Sequence, residues 1–204
     1  MRILAFGAHP DDVEVGMGGT IAEYAKKGHE VYIVIATIPT EKQLRRNEAE
    51  KAAEILGAKL IILDIEPHEL VVNRELVGKF DEVVRKYPPD IAYTHWNHDS
   101  HQDHATIANA VITSTRKNNC SLYMYEQTIP GGIVPYGFRA QSFVDITEVI
   151  DVKMNSIRAH TSQIKINGEW WLYGINGRAM SRGYQINVKY AEAFEVVKEI
   201  KEIP

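Results

Sequence analysis

A chain of 204 residues can bury one substantial core, so a single domain over 1–204 with an elaborated C-terminal part is expected. Apolar residues at 45% and charged residues at 25% exclude disordered, coiled-coil and low-complexity classes. A net charge of −4 offers no basic field to nucleic acid or an anionic membrane, and neither is expected as a partner.

The first apolar run, Arg2-Ile3-Leu4-Ala5-Phe6, reads as a strand and meets Asp11 and Asp12 before it is long enough for a secretion signal. Gly7-Ala8-His9-Pro10-Asp11-Asp12 is the turn into a helix marked by Met17, Ile21, Tyr24 and Ala25, which Lys26-Lys27-Gly28 closes. Val31 to Ala36 is β-branched and suits a buried central strand. Residues 41–56 are helix formers ending at Gly57, and Leu60 to Leu63 is a third strand. After a turn-rich stretch from Asp64 to Asn73, Leu76, Phe80, Val83 and Val84 trace a helical face ending before Pro88-Pro89. Ile91 to Thr94 is a fourth strand. No apolar run approaches the ~20 residues of a membrane-spanning helix.

The loop from His95 to His104 leaves that strand and enters a helix carrying Ile107, Ala108, Val111 and Ile112. Ser121 to Tyr125 is a fifth strand, and the Pro- and Gly-rich segment over 130–138 reads as a mobile loop able to cover a site. A helix over 148–159, a polar segment containing Trp170 and Trp171, and a last strand over 190–197 complete the chain. The βαβα alternation predicts an α/β fold. It is a three-layer α/β/α sandwich with a mostly parallel, Rossmann-like sheet and right-handed crossovers. Both loops then lie at the carboxyl edge of the sheet, where open α/β folds bind ligands.

Capping a helix uses one aspartate, whereas the first turn carries His9 as well as Asp11 and Asp12. The second loop adds His95, His98, His101 and His104, of which capping needs none; Ser100 with Asp103 would serve as a variant capping box. Adjacent carboxylates raise each other's pKa unless a cation holds them. His9, Asp12 and one histidine of the second loop make a His, carboxylate, His set of the kind that holds catalytic zinc. A dinucleotide site does not fit, because Gly16-Met17-Gly18-Gly19 falls inside the helix and two aspartates would repel a pyrophosphate. No G-x-S-x-G elbow is present, and the lone Cys120 reads as a small buried apolar residue in a reducing compartment.

Ala8-His9-Pro10-Asp11-Asp12 with His101-Gln102-Asp103-His104 resembles the paired signatures of the PIG-L or LmbE-like zinc-dependent N-deacetylases. Segments 44–49, 51–57, 144–147 and 190–194 also look like family segments, in the family's order. The resemblance implies His9, Asp12 and His104 as ligands of one Zn²⁺ per chain, or of another divalent transition metal. It implies Asp11 as general base, His101 as the group that stabilises the oxyanion and protonates the leaving amine, and Asp103 as the residue that orients His101. Arg45 matches a substrate-contacting arginine; as a bare helix residue it would be a solvated charge. Gln102 and Val13 depart from residues frequent in the family and remove no group the chemistry uses.

The implied activity is hydrolysis of the acetyl group from an N-acetylglucosamine-type sugar or conjugate, releasing acetate and an amine, in a cytoplasmic homo-oligomer. An amidase acting on a larger acyl group or thiol conjugate, and a non-catalytic metal- or ligand-binding protein, are the alternatives. His95 and His98 read as ordinary loop histidines with a supporting or substrate contact as the alternative, and so do the isolated His29, His68 and His160. Trp96, Tyr136, Phe138, Trp170 and Trp171 receive no role.

Overall fold

The computed structural model describes residues 1–126 and 137–201; the expected covering loop lies outside them except for Gly137 and Phe138. The first half alternates β1 (Arg2–Gly7), α1 (Asp12–Lys26), β2 (Glu30–Ile35), α2 (Lys42–Leu56), β3 (Lys59–Ile62), α3 (Arg74–Lys86), β4 (Ile91–His95), α4 (Gln102–Thr115) and β5 (Ser121–Tyr125). The C-terminal part adds β6 (Ser142–Asp145), α5 (Ile150–Arg158), α6 (Thr161–Asn167), α7 (Trp170–Gln185) and β7 (Ala191–Lys198). One sheet results, in the order β3-β2-β1-β4-β5-β7-β6. The five strands of the first half pair in parallel, while β7 runs antiparallel to both β5 and β6.

The period of two along a strand sends successive side chains to opposite faces, and both faces are covered, which is why β1 and β2 read as continuous apolar runs. Ile3, Ala5, Ile33 and Ile35 pack under Val13 and Ile21 of α1 and Leu56 of α2. Leu4, Phe6, Tyr32 and Val34 pack under Phe80 and Val84 of α3 and Ile107 and Val111 of α4. The expected three layers are therefore present. Among the described residues, no helix is long and apolar enough to cross a membrane.

Three elements, α6, α7 and β6, were not legible. The polar segment expected around Trp170 and Trp171 is α7, whose Gly174, Gly177 and Gly183 lower its intrinsic propensity. Packing supplies what propensity lacks: Trp171, Leu172 and Ile175 join Val15, Met154 and Ile157 in a third apolar cluster. Strand β6 is short, half-buried and at the sheet edge, so it carries no alternating signal.

Helix α1 is kinked at Met17, where φ is −149°. The break leaves backbone groups without helical partners inside the core, and buried side chains from the C-terminal part replace them. Val15 O accepts from Lys153 Nζ and from Arg178 Nη2, each at 2.8 Å. Glu192 accepts from Gly19 N at 2.9 Å and from Thr20 N at 2.6 Å, and pairs with Lys153. Burial pushes the Lys153 ammonium below its ordinary pKa, and Glu192 opposes that shift.

Close approach explains the glycines of this helix. A Cβ at Gly16 would overlap the ring of Tyr125, and one at Gly19 would lie 2.8 Å from Ile146 side-chain carbons. Tyr125 cannot retreat, because it is buried and its hydroxyl donates to Phe6 O at 2.8 Å. Gly16→Ala should therefore destabilise the fold by about 1–3 kcal/mol. Gly78→Ala, in α3 with nothing within 4 Å of the added carbon, should stabilise it by about 0.5–1 kcal/mol. Urea unfolding midpoints moving in opposite directions would show both effects.

Candidate metal centre

Strand β1 lies between β2 and β4, and the helices that follow β1 and β4 cover opposite faces of the sheet. Their connections diverge at the carboxyl edge and open a crevice, the switch point of a doubly wound sheet. The two loops singled out in the sequence meet there.

Neither aspartate of the first turn caps α1. Asp11 occupies the N-cap position without a side-chain hydrogen bond to the helix, and Asp12 Oδ2 accepts from His9 N at 2.7 Å. Asp11 has φ 98°, a left-handed conformation that costs a non-glycine residue about 1–3 kcal/mol. Its carboxylate is thus aimed by its surroundings.

Asp12 is the hub. Its Oδ1 lies 3.2 Å from His104 Nε2, and its Oδ2 lies 3.5 Å from His9 Nδ1 and 3.2 Å from His95 Nε2. Donor-type atoms of Asp12, His95 and His104 fall within 4.8 Å of one another, as do those of His9, His101 and His104. The imidazoles are held from behind. His104 Nδ1 meets Asp99 Oδ2 at 2.8 Å, which turns Nε2 toward Asp12, and His9 Nε2 meets Asp103 Oδ2 at 3.1 Å. Asp99, which also accepts from His101 N at 2.9 Å, was missed in the sequence. An aspartate in a histidine-rich loop was the available signal.

His95 is not an ordinary loop histidine. It is buried as the last residue of β4, and its Nε2 accepts from Ala8 N at 2.9 Å, tying β4 to the first turn. A backbone N–H can only donate, so this nitrogen carries no proton. Burial and neighbouring His104 push the His95 pKa down to about 4, consistent with a neutral ring.

Asp103 corrects an expectation. Its carboxylate reaches His9, whereas its contact with His101 runs through the backbone: Asp103 N donates to His101 Nδ1 at 3.2 Å, and His101 caps α4. The capping box expected of Ser100 with Asp103 is replaced by this bond. With Nδ1 accepting, the proton of His101 resides on Nε2.

The charges ask for a cation. Burial opposes ionisation of Asp12, but His104, His95 and His9 reverse that effect and hold its pKa well below the ordinary range. Burial likewise opposes a charge on His104, and Asp12 and Asp99 overcome it, raising that pKa to about 10. Asp11 is shifted upward by burial and by Asp12, with His160 and Arg45 working against the shift. Burial, His104 and His9 lower His101. Buried carboxylates that draw protons onto facing imidazoles are satisfied equally by a metal ion, which displaces those protons. Asp12 lies against both His9 and His104 with a cavity beside them, and the two clusters that share His104 offer the nitrogen and oxygen donors of a zinc-type site.

A cavity of about 450 Å³ lies over this cluster, with Asp11, His101, Arg45 and Gln163 on its walls. Arg45 is buried rather than solvated: its Nη2 donates to Pro10 O at 2.8 Å and lies 3.8 Å from Asp11 Oδ2. His160, read as isolated, is completely buried with its Nε2 3.0 Å from Glu14 Oε1. His98 is exposed, edge-on to buried Trp96. His29 lies near the N-terminal amine, away from the crevice, and His68 is in a short 3₁₀ turn. Trp171 is core, Trp170 is exposed and Phe138 packs on Trp96.

Residues 4–115, which contain both loops, match the family described as PIG-L, GlcNAc-PI de-N-acetylase. The chain belongs to the PIG-L family. It is 29% identical to the diacetylchitobiose deacetylase of Thermococcus kodakarensis, over 98% of this chain and 84% of that protein. The structure of N,N′-diacetylchitobiose deacetylase from Pyrococcus horikoshii with an inhibitor superposes with a TM-score of 0.82 at 26% identity, covering 97% of this chain and 84% of that one. The 4-oxalmesaconate hydratase of Pseudomonas putida is 26% identical, over 95% of this chain and 88% of that protein.

For a PIG-L chain with this support behind His104, Asp99→Ala should leave the imidazole unoriented and weaken zinc binding by about 10–100-fold. Competition with a chromophoric chelator measures the change.

Proposed function

We propose that this protein is a zinc-dependent hydrolase that removes the acetyl group from an N-acetylglucosamine-type sugar or conjugate, leaving acetate and a free amine. The observation that carries this reading is Asp11, a half-buried carboxylate held out of any capping role on the wall of the cavity, beside the candidate ligands. The deacetylases similar to this chain support the substrate class.

His9, Asp12 and His104 would hold the ion, which supplies Lewis acidity toward an amide carbonyl and lowers the pKa of a water toward about 7. Asp11 takes a proton from the attacking water and, in place of the His101 expected from the family resemblance, returns it to the departing nitrogen. His101, with its proton on Nε2, donates a hydrogen bond to the carbonyl oxygen as that oxygen gains charge. It acts in this reading as a neutral donor rather than as an imidazolium, in keeping with its lowered pKa. Asp103 holds His101 through its backbone N–H and His9 through its carboxylate. Arg45 offers a guanidinium to the substrate beside Asp11.

Asp11→Asn should retain zinc and lose about 10²- to 10⁴-fold in turnover, without rescue by added metal. Asp12→Ala should lose zinc, with activity partly restored by excess metal. Zinc content and acetate release from N-acetylglucosamine and N,N′-diacetylchitobiose, measured on the same preparations, test both. The similarity to a hydratase supports a second reading, addition of water to an unsaturated acid such as 4-oxalmesaconate. No acetate from the amide panel, with loss of alkene absorbance on that substrate, would establish it instead.

The reading also takes the protein as a cytoplasmic homo-oligomer. On α7 the side chains of Trp170, Tyr173, Met180 and Tyr184 are exposed along one side, an aromatic stripe that a second copy would cover. Light scattering should return a mass above that of one chain, and Tyr173→Glu should lower it.

A further inference from the structure

Behind the cavity lies a set of buried charged groups that the proposed reaction does not use. Glu14 on α1 is 1% exposed and His160, just before α6, is 0% exposed. His160 Nε2 meets Glu14 Oε1 at 3.0 Å. The next two residues bind Glu48 of α2: Thr161 Oγ1 donates at 2.7 Å, Ser162 N at 2.8 Å and Ser162 Oγ at 2.6 Å. On the same helix, Arg45 donates to Pro10 O and faces Asp11.

These contacts close a ring. It runs from Asp11 to Glu14 along α1, across to His160 and Ser162, then to Glu48 and Arg45 on α2, and back to the turn at Pro10 and Asp11. Asp11 and Arg45 are the ring members that reach the cavity wall. Arg45 Nη2 lies 3.8 Å from Asp11 Oδ2, and Glu14, which holds His160, stands three residues further along α1. Burial works against a charge on His160, but Glu14, Asp11 and Glu48 together outweigh it and hold the imidazole above its ordinary value.

Stability alone does not account for the pair. Among the described residues, Glu14 Oε2 and His160 Nδ1 have no hydrogen-bond partner, and an incompletely bonded buried ion pair is commonly no more stable than apolar side chains of the same size. Asp11, at the other end of the ring, holds a backbone conformation that a non-glycine residue keeps only when its surroundings impose it.

We propose that His160, fixed by Glu14, is a positioning residue that holds Asp11 in its left-handed conformation with the carboxylate toward the cavity. The kinetic part rests on the hydrolytic reading above, in which Asp11 is the base; the conformational part does not.

The test is a double-mutant cycle joined to crystallography. His160→Gln keeps a donor for Glu14 and removes the cation. In the otherwise native protein it should lower kcat about tenfold or more, with KM within about twofold and zinc content unchanged. In an Asp11→Asn background the same change should cost less than about twofold, because the residue it acts through no longer functions. Equal losses in both backgrounds, or no loss in either, would overturn the proposal. Should His160→Gln fail to fold, Glu14→Gln, which keeps an acceptor for His160 but removes its counter-charge, goes through the same cycle with the same outcomes. Crystal structures of the wild type and the variant decide the conformational part whether or not acetate is released. Asp11 should leave positive φ in the variant, and an unchanged Asp11 would refute the proposal. A wild type that releases no acetate overturns the hydrolytic reading alone.

Discussion

A carboxylate buried among polar groups at the carboxyl edge of a sheet must be neutralised, and Asp12 imposes that requirement on everything near it. Three imidazoles surround it: Asp103 and Asp99 fix His9 and His104 from their far sides, while Ala8 N–H sets the tautomer of His95 on the nitrogen that faces Asp12. Because the fixing groups act on the second nitrogen of each ring, or fix the tautomer, the donors facing Asp12 are set before any ligand arrives. Placing them needs two adjacent parallel strands whose following helices leave on opposite faces, which is what the strand order around β1 provides.

Such a cluster works only if its two halves keep their distance, and the C-terminal part serves that end. Lys153, Arg178 and Glu192 splint the kink of α1 from α5, α7 and β7, so the helix that begins at Asp12 is anchored by residues distant in sequence. The glycines of α1 let it lie against Tyr125 of β5 and against Ile146. The N-terminal half carries the His and Asp cluster, and the later elements brace the helix that begins at Asp12.

Membership of the PIG-L family places the chemistry in a class without choosing one reaction, since relatives of comparable similarity are named as deacetylases and as a hydratase. A shared fold supplies a crevice and a donor set; the groups that face the substrate decide what is done there. Here a carboxylate, an imidazole and a guanidinium line the cavity, a complement that suits the amide hydrolysis proposed above.

By itself the sequence determined the five parallel strands, the helices between them, the crevice at the ends of β1 and β4, and the concentration of His and Asp in two loops. Apolar runs bounded by glycine and proline carry that information locally, and a loop between a strand and a helix has one edge of the sheet on which to lie. Only the tertiary structure decided the roles of His95, Asp99, Glu14 and His160. Which nitrogen a backbone N–H occupies, and which buried carboxylate an imidazole meets, depends on packing between residues as far apart as Glu14 and His160. Helix α7 and strand β6 were hidden for the same reason: glycine-rich or edge segments take their conformation from the surfaces they cover. The direction of Asp11 belongs there too, because its backbone is disfavoured locally and the guanidinium its carboxylate faces, Arg45 of α2, is one that no reading of its neighbours in the chain contains.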